Sequence, residues 1–405
     1  MSNIIKMENT PILSILIPTK NREKYALNIV QHILAISNNK FQIIIQDNSE
    51  TNKLEHLLTE YKSDERLRYY YHNEVLSFVD NFSFGISKCT GEYVTIIGDD
   101  DGINPLIIDV TEWASLNKIK AITPSLPIIY FWPQSGAKSG KDNGILTISD
   151  TSCKVKLVNT RKEVIKFLKQ GCHNYLDYNL AKAYHGIVKR SILEEIKSKT
   201  GQYIGGLSPD IYLSIAISLL VDEVLVVDYP LTISGICKQS GSSDSATGRH
   251  TGELKNAPHF VGHTDYKWSN EVPAFYSVET IWGDSALAAI KDLKETTYLK
   301  FYREFILSIY CLISYPAYKS IIISNLQSNN KSFENNYLLN IYIVREKLYI
   351  IISKYLNFLI KRVICRKSYN VFDNVVDMIA ASEISKSFIV KNTLRVMSKL
   401  NRIKD

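Results

Sequence analysis

Four short apolar runs, each followed by a stretch of helical periodicity, occupy the first 125 residues and leave few folds open. "LSILI" (13–17) ends at Pro18, after which Tyr25, Ile29, Ile33 and Ile36 recur at helical spacing. "FQIIIQ" (41–46) precedes Leu54, Leu57, Leu58 and Tyr61; "LRYYY" (67–71) precedes Phe78, Phe82, Ile86 and Cys89; "YVTII" (93–97) precedes a helix opened by Pro105. Continuous apolar strands that alternate with helices require a parallel sheet covered on both faces. The expected class is therefore α/β, a Rossmann-like, mostly parallel sheet.

In such sheets ligands sit beyond the carboxyl ends of the strands. The polar clusters "PTKNR" (18–22), "DNSE" (47–50) and "GDDDG" (98–102) all lie at such ends and should converge on one crevice. Asp99, Asp100 and Asp101 are adjacent, and three neighbouring carboxylates repel one another unless a cation or a helix N-terminus offsets them. Hard cations such as Mg²⁺ and Mn²⁺ favour carboxylate oxygens and fill their remaining positions with water and substrate phosphate. A helix-start acidic cluster is the other reading of the same three residues.

The remainder of the chain is less regular. Gly/Ser-rich stretches ("SGAKSGKDNG", "SGSSDSATGRH") separate short strand-like runs and two helices, near 161–170 and 208–220. From about 276 the pattern turns helical. From Tyr276 onward 19 Lys+Arg stand against 11 Asp+Glu, a net of +8, so the whole of the net +7 belongs to this third of the chain and the first 275 residues come to −1. Helical "LLNIYIVREKLYIIISKYLNFLIKRVICRK" (338–367) ends in a basic cluster that includes Lys361, Arg362, Arg366 and Lys367. Such a helix either packs on the protein or lies on an anionic membrane surface. The six cysteines show no C-x-x-C pair and read as reduced, buried thiols of a cytoplasmic protein. The N-terminal apolar stretch is too short for a signal peptide, and no window approaches the ~20 apolar residues of a membrane span. Dispersed basic residues without a recognisable motif argue against nucleic acid as a partner.

"LSILIPTKNR", "IIIQDNSE" and "TGEYVTIIGDDD", in this order, resemble the nucleotide-sugar half of family 2 glycosyltransferases with the GT-A fold. The resemblance is strong over about 11–125, fainter to about 240, and absent from the C-terminal third. It implies a GT-A domain over 1–275, with a nucleotide-sugar half (11–125) and an acceptor half (126–275), followed by a helical domain over 276–405. It implies that Pro18, Thr19 and Arg22 frame the nucleotide and that Asp47 accepts from a base imide N–H, as uracil or thymine offers and cytosine does not. At the metal motif the chain departs from the family: Gly98 stands where many relatives place the first aspartate. Counting from "GEY" makes Asp100 the metal ligand, with Asp99 facing the sugar and Asp101 supporting; the D-x-D spelling selects Asp99 and Asp101 instead.

The family's catalytic carboxylate falls at a helix start in the second half of the domain, which matches Asp210 in "GGLSPDIYLSIAISLL". Residue types alone also fit a plain helix start there, with Ser208 as cap, Pro209 in the first turn and Asp210 on the dipole. His250 and Arg249 follow a loop where relatives carry a residue that touches the metal or diphosphate. His185 either lines the acceptor pocket or packs in the core; Lys189 and Arg190 read as surface charges. The resemblance thus implies an inverting glycosyltransferase dependent on Mn²⁺ or Mg²⁺. It would move sugar from a UDP- or dTDP-sugar to a glycan or lipid-linked acceptor in bacterial surface-polysaccharide assembly, in the cytoplasm or at the inner membrane face. Homo-oligomerisation is left open. A sugar-nucleotide nucleotidyltransferase would want a glycine-rich loop after the first strand, where "PTKNREKY" has none. A haloacid-dehalogenase-type phosphatase would want D-x-D there. A scaffold protein with this fold would not need the aspartates.

Overall fold

Strands β1 (Leu13–Thr19) and β2 (Phe41–Asp47) are buried along their whole length, which only a strand covered on both faces achieves. They pair in parallel register from Leu13 opposite Phe41 to Thr19 opposite Asp47. This computed structural model describes residues 10–136, 143–238, 240, 251–263, 265–329, 336–364 and 369–404.

β3 (Leu67–Tyr71) lies outside β2, and β4 (Tyr93–Ile96) lies on the other side of β1, all parallel. The helices between them are α1 (Glu23–Leu34), the short α2 (Lys53–Leu57), α3 (Phe78–Lys88) and α4 (Leu106–Leu116). Four further strands extend the sheet: β6 (Ala121–Pro124), β9 (Val155–Asn159), β10 (Ile187–Lys189) and β11 (Glu223–Val227). The eight-stranded order is β3-β2-β1-β4-β10-β6-β11-β9, with β10 antiparallel to both neighbours, β11 parallel to β6 and β9 antiparallel at the edge. The expected α/β class, with a mostly parallel sheet, is met. Helices α5 (Thr160–Lys169), α6 (Arg190–Thr200) and α7 (Pro209–Leu220) cover it.

A second sheet, in the order β13-β8-β7-β12-β5, stands beyond the strand ends. Its members are β5 (Gly102–Ile103), β7 (Ile128–Phe131), β8 (Ile145–Ser149), β12 (Thr232–Ile236) and β13 (Tyr369–Asp373). β12 pairs with β5 immediately after the aspartates and so clamps them from the far side.

The C-terminal region is helical as expected: α8 (Val278–Asp292), α9 (Glu304–Ser314), α10 (Lys319–Asn329), α11 (Asn336–Ile364) and α12 (Met378–Asn401). Its packing is shared with the preceding residues. α8 packs along α7. Met378, Ala381, Ile389, Val396 and Leu400 of α12 are buried in one cluster with β1, β2, α1 and α4. Polar bonds seal that return: Asn28 Nδ2 donates to Asp377 Oδ2 at 3.3 Å and Trp113 Nε1 to Asn401 Oδ1 at 3.0 Å. Cys89, Cys153, Cys172, Cys237 and Cys311 are free and buried. Among the described residues no helix is long and apolar enough to cross a membrane.

Candidate active site

The carboxyl ends of β1 and β4 meet at a cleft of about 450 Å3. Pro18, Arg22, Gly98, Asp99 and Asp100 line it, and so does Asp210. Thr19, the last residue of β1, donates its Oγ1 to Asp99 Oδ2 at 2.5 Å. Arg22, in the turn before α1, sends one nitrogen between two carboxylates: Nη2 lies 2.9 Å from Asp99 Oδ1 and 3.0 Å from Asp100 Oδ2. The same nitrogen donates to Cys237 Sγ at 2.8 Å. Burial acts to lower the guanidinium's pKa, but Asp99 and Asp100 outweigh it and push it above its ordinary value.

The three aspartates do different work. Asp99 is buried, and that burial raises its pKa well above the usual carboxylate range against the pull of Arg22. Asp100 accepts the Cys237 backbone N–H at 3.1 Å, while its own carbonyl accepts Trp132 Nε1 at 2.8 Å. Asp101 turns inward, away from the cleft. Its Oδ1 accepts Gly235 N at 2.7 Å, and its Oδ2 accepts Gly98 N at 2.7 Å and Tyr184 Oη at 3.1 Å. His185 Nε2 stands 3.3 Å from the same oxygen. Burial, reinforced by Asp100, drives the Asp101 carboxyl up as well. Asp101 therefore fastens the loop to β12.

Gly98 is the site of the family departure, and the crowding explains it. A Cβ there would stand 2.8 Å from Asp100 Oδ1, 3.0 Å from Asp101 Oδ2 and 3.0 Å from the Tyr184 hydroxyl. Gly235 is needed for the same reason, since its Cβ would overlap the Asp100 carbonyl.

Asp210 sits in the first turn of α7, with Pro209 at the N-terminal position. Ser208 makes no cap bond to the helix backbone; its hydroxyl donates instead to Asp210 Oδ1, which also accepts Ile211 N at 2.9 Å. Behind it, burial pushes the Tyr175 hydroxyl up, helped by Asp210. The Lys182 ammonium lies 5.1 Å from the Tyr175 ring, and burial lowers its pKa to about 8.

The remaining predicted residues lie elsewhere. Asp47 ends β2 fully buried: Oδ1 accepts Ser49 N at 2.8 Å and Ser49 Oγ at 2.5 Å, and Oδ2 accepts Tyr69 Oη at 2.8 Å. It is not among the residues lining the cleft. His185 is a packed interior histidine, its Nδ1 2.8 Å from Thr232 Oγ1, and burial lowers its pKa to about 4. Lys189 pairs with Glu92 at 3.3 Å, and Arg190 Nε donates to the Gly91 carbonyl at 3.0 Å. His250, Arg249, Arg366 and Lys367 lie outside the described residues, as do the side chains of Lys361 and Arg362.

Sequence reasoning missed the apolar half of the cleft. Phe78 and Phe82 of α3, His259, Tyr276 and Trp282 of α8 form it. His259 Nδ1 and the Tyr276 hydroxyl are 3.1 Å apart, and the His259 ring meets Phe78 edge-on at 5.3 Å. The usable signal was the Ser277 and Thr280 pair, a capping box that starts α8 and fixes Trp282 one turn inside it.

Residues 14–115 match the family model described as Glycosyl transferase family 2. This segment is similar to family 2 glycosyl transferase domains. The matched segment carries Asp99, Asp100 and Arg22; Asp210 and the aromatic wall lie beyond it. The putative colanic acid biosynthesis glycosyl transferase WcaA of Escherichia coli K12 is 33% identical over 104 residues, 24% of this chain and 36% of that protein. Glycosyltransferase GlyG of Streptococcus pneumoniae serotype 4 is 27% identical over 99 residues, 24% of this chain and 33% of that protein. An uncharacterized glycosyltransferase of Rickettsia felis is 30% identical over 90 residues, 22% of this chain but 15% of that one. The chain thus spans about a third or less of these relatives. Among solved structures, S. aureus TarS 1-349 in complex with UDP-GlcNAc is similar at TM-score 0.45 and 12% identity, covering 79% of this chain and 82% of that one.

Proposed function

We propose that the protein is an inverting glycosyltransferase that moves a sugar from a UDP- or dTDP-sugar to a hydroxyl of a glycan or lipid-linked acceptor in surface-polysaccharide assembly. The observation that supports this reading best is that Asp99, Asp100 and Asp210 line one and the same cleft.

The donor set suits a hard divalent cation. Two cleft-lining carboxylates leave the other coordination positions to water and phosphate, the usual arrangement for Mg²⁺. Asp100, with Asp99, would hold it; Asp101 would not, because it does not line the cleft and is bonded to Gly98, Tyr184 and Gly235. Among the described residues no group of three or more His, Cys, Asp or Glu is placed to hold a metal ion; water and substrate oxygens would have to complete the shell around Asp99 and Asp100. When bound, such a cation neutralises charge on a departing diphosphate.

The chain's own groups carry the rest. Arg22 offers a second positive charge beside the same carboxylates. Asp210, its Oδ1 fixed by Ser208 and Ile211, takes the proton of the acceptor hydroxyl on Oδ2. The acceptor oxygen bonds to the anomeric carbon as the bond to the diphosphate oxygen breaks on the opposite face, which inverts the centre. Asp47, fully buried and already accepting from Ser49 and Tyr69, orders the end of β2 and is left out of the groups that touch the donor. The aromatic half of the cleft receives the apolar faces of the acceptor.

A donor screen tests this reading: hydrolysis and transfer from UDP-, dTDP- and GDP-sugars, with and without Mn²⁺, by wild type and Asp210→Asn. A positioned general base contributes typically ~10²–10⁴-fold, so the variant should lose that much turnover while binding donor normally. Full turnover by Asp210→Asn would remove the carboxylate from the reaction.

A further inference from the structure

Arg22 reaches its carboxylates with one end only. Its Nη2 lies 2.9 Å from Asp99 Oδ1, 3.0 Å from Asp100 Oδ2 and 2.8 Å from Cys237 Sγ, so three acceptors converge on a single nitrogen. Nε is buried without a hydrogen-bond partner. Asp99 Oδ1 likewise makes no hydrogen bond despite the 2.9 Å approach, which leaves that contact to charge alone. An Arg–carboxylate pair at its best is a fork, with parallel N–H···O bonds from two nitrogens. Here the fork is forgone. The position between the carboxylates suits a compact positive charge better than it suits a planar guanidinium.

We infer that Arg22 is an exchangeable counter-ion: before ligands bind it offsets Asp99 and Asp100, and when a divalent cation takes those carboxylates its guanidinium leaves them for the phosphates of the donor. A nucleoside diphosphate offers what the aspartates do not, adjacent phosphate oxygens that fit the fork. The path is short, because Arg22 lines the same cleft as Asp99 and Asp100 and its side chain is 19% exposed to it.

This inference rests on the proposed cation at Asp99 and Asp100 and adds an order of binding to it. While Arg22 stays between the carboxylates, a divalent cation meets a like charge in a buried setting, where repulsion is far less screened than in water. The cation alone should therefore bind poorly. A diphosphate draws Arg22 away and admits the cation, and by reciprocity the cation tightens the diphosphate by the same factor. Arg22 thus makes the site selective for the cation and the diphosphate together over either one alone.

Binding, and not turnover, tests the exchange. Mn²⁺ titrations followed by the EPR signal of the unbound ion, with and without UDP or dTDP, compare wild type with Arg22→Met, Arg22→Gln and Arg22→Lys. Without nucleotide, Arg22→Met should bind Mn²⁺ about tenfold more tightly than wild type, or better. Arg22→Gln, which keeps side-chain donors should the methionine fail to fold, should do the same. Arg22→Lys retains the competing charge and should stay near wild type. The factor by which nucleotide tightens Mn²⁺ should shrink in both neutral variants. A residue that only braces the loop predicts the reverse, weaker Mn²⁺ binding once it is lost. Neutral variants that bind Mn²⁺ alone no more tightly than wild type overturn the exchange and leave the cation reading standing. No uptake of Mn²⁺ by any of the four proteins, with or without nucleotide, removes the cation reading itself and the exchange with it.

Discussion

Arg22 Nη2 and Asp99 Oδ1 stand 2.9 Å apart, and the same nitrogen lies 3.0 Å from Asp100 Oδ2, so one guanidinium bridges two buried carboxylates. Removing one partner of such a pair leaves uncompensated buried charge, which costs ~3–5 kcal/mol. Arg22→Met should therefore lower the melting temperature in metal-free buffer by several degrees. Mn²⁺ should restore part of that loss, because a cation on Asp99 and Asp100 does the same electrostatic work. Thermal melts of wild type and variant with EDTA and with Mn²⁺ measure it. A variant that melts with the wild type in EDTA would show that the bridge does not hold the loop.

Gly98 supplies the second prediction. Gly98→Asp restores the spelling common in the family, yet the new Cβ would crowd Asp100, Asp101 and Tyr184. The substitution should lower both thermal stability and donor binding, with the loop pushed off β12. Donor affinity by calorimetry reads this directly, and equal or tighter binding would mean that the loop relaxes freely.

These two sites mark where the sequence was legible and where it was not. The four parallel strands were readable because β1, β2 and β4 are covered on both faces and so carry unbroken apolar runs. The polar ends of β1 and β4 converged, bringing Thr19, Arg22, Asp99 and Asp100 together, whereas Asp47 at the end of β2 is not among the residues lining the cleft. Nothing local distinguishes Asp101 from Asp100, however. Which of them faces the cleft depends on Gly235 and Tyr184, donors more than eighty residues away. β13 was invisible because all five of its residues are exposed, so no alternation marks it. The return of α12 onto α1 was equally hidden, since an apolar helical stripe does not say which surface it will cover. His259 and Tyr276 of the aromatic wall come from irregular chain, where periodicity is silent; Phe78, Phe82 and Trp282 lie on helices, whose periodicity does not say that they meet at the cleft.

Ser208 offers a finer test of the proposed base. Its hydroxyl donates to Asp210 Oδ1 rather than capping the helix. A hydrogen bond to a charged group is worth ~1.5–3 kcal/mol, and here it fixes the orientation of the carboxylate. Ser208→Ala should cut kcat about tenfold or more and leave the donor KM near wild type, while Ser208→Thr should retain most activity. A change confined to KM would reassign Ser208 to donor binding.

Lys182 carries the pH prediction. Its ammonium is tucked against the Tyr175 ring, and burial lowers its pKa from 10.5 to about 8, with Asp210 and Asp177 pulling the other way. Between pH 8 and 10.5 the unfolded chain thus holds a proton that the folded chain has released. Stability rises with pH wherever the unfolded state binds more protons, so this lysine adds a rising contribution across that window and a constant cost below it. By the free-energy equivalent of a pKa shift, that cost is on the order of 3 kcal/mol. Lys182→Met should accordingly be more stable than wild type at pH 7, and the two should converge as pH approaches 10. Its transfer rate should fall, because the cation beside Tyr175 and Asp210 is lost from behind the proposed base. Urea unfolding of both proteins from pH 6 to 10 isolates the lysine, since every other titrating group is common to the pair. A stability difference that stays flat across the window would mean that Lys182 titrates at its ordinary value and that its burial is relieved by solvent.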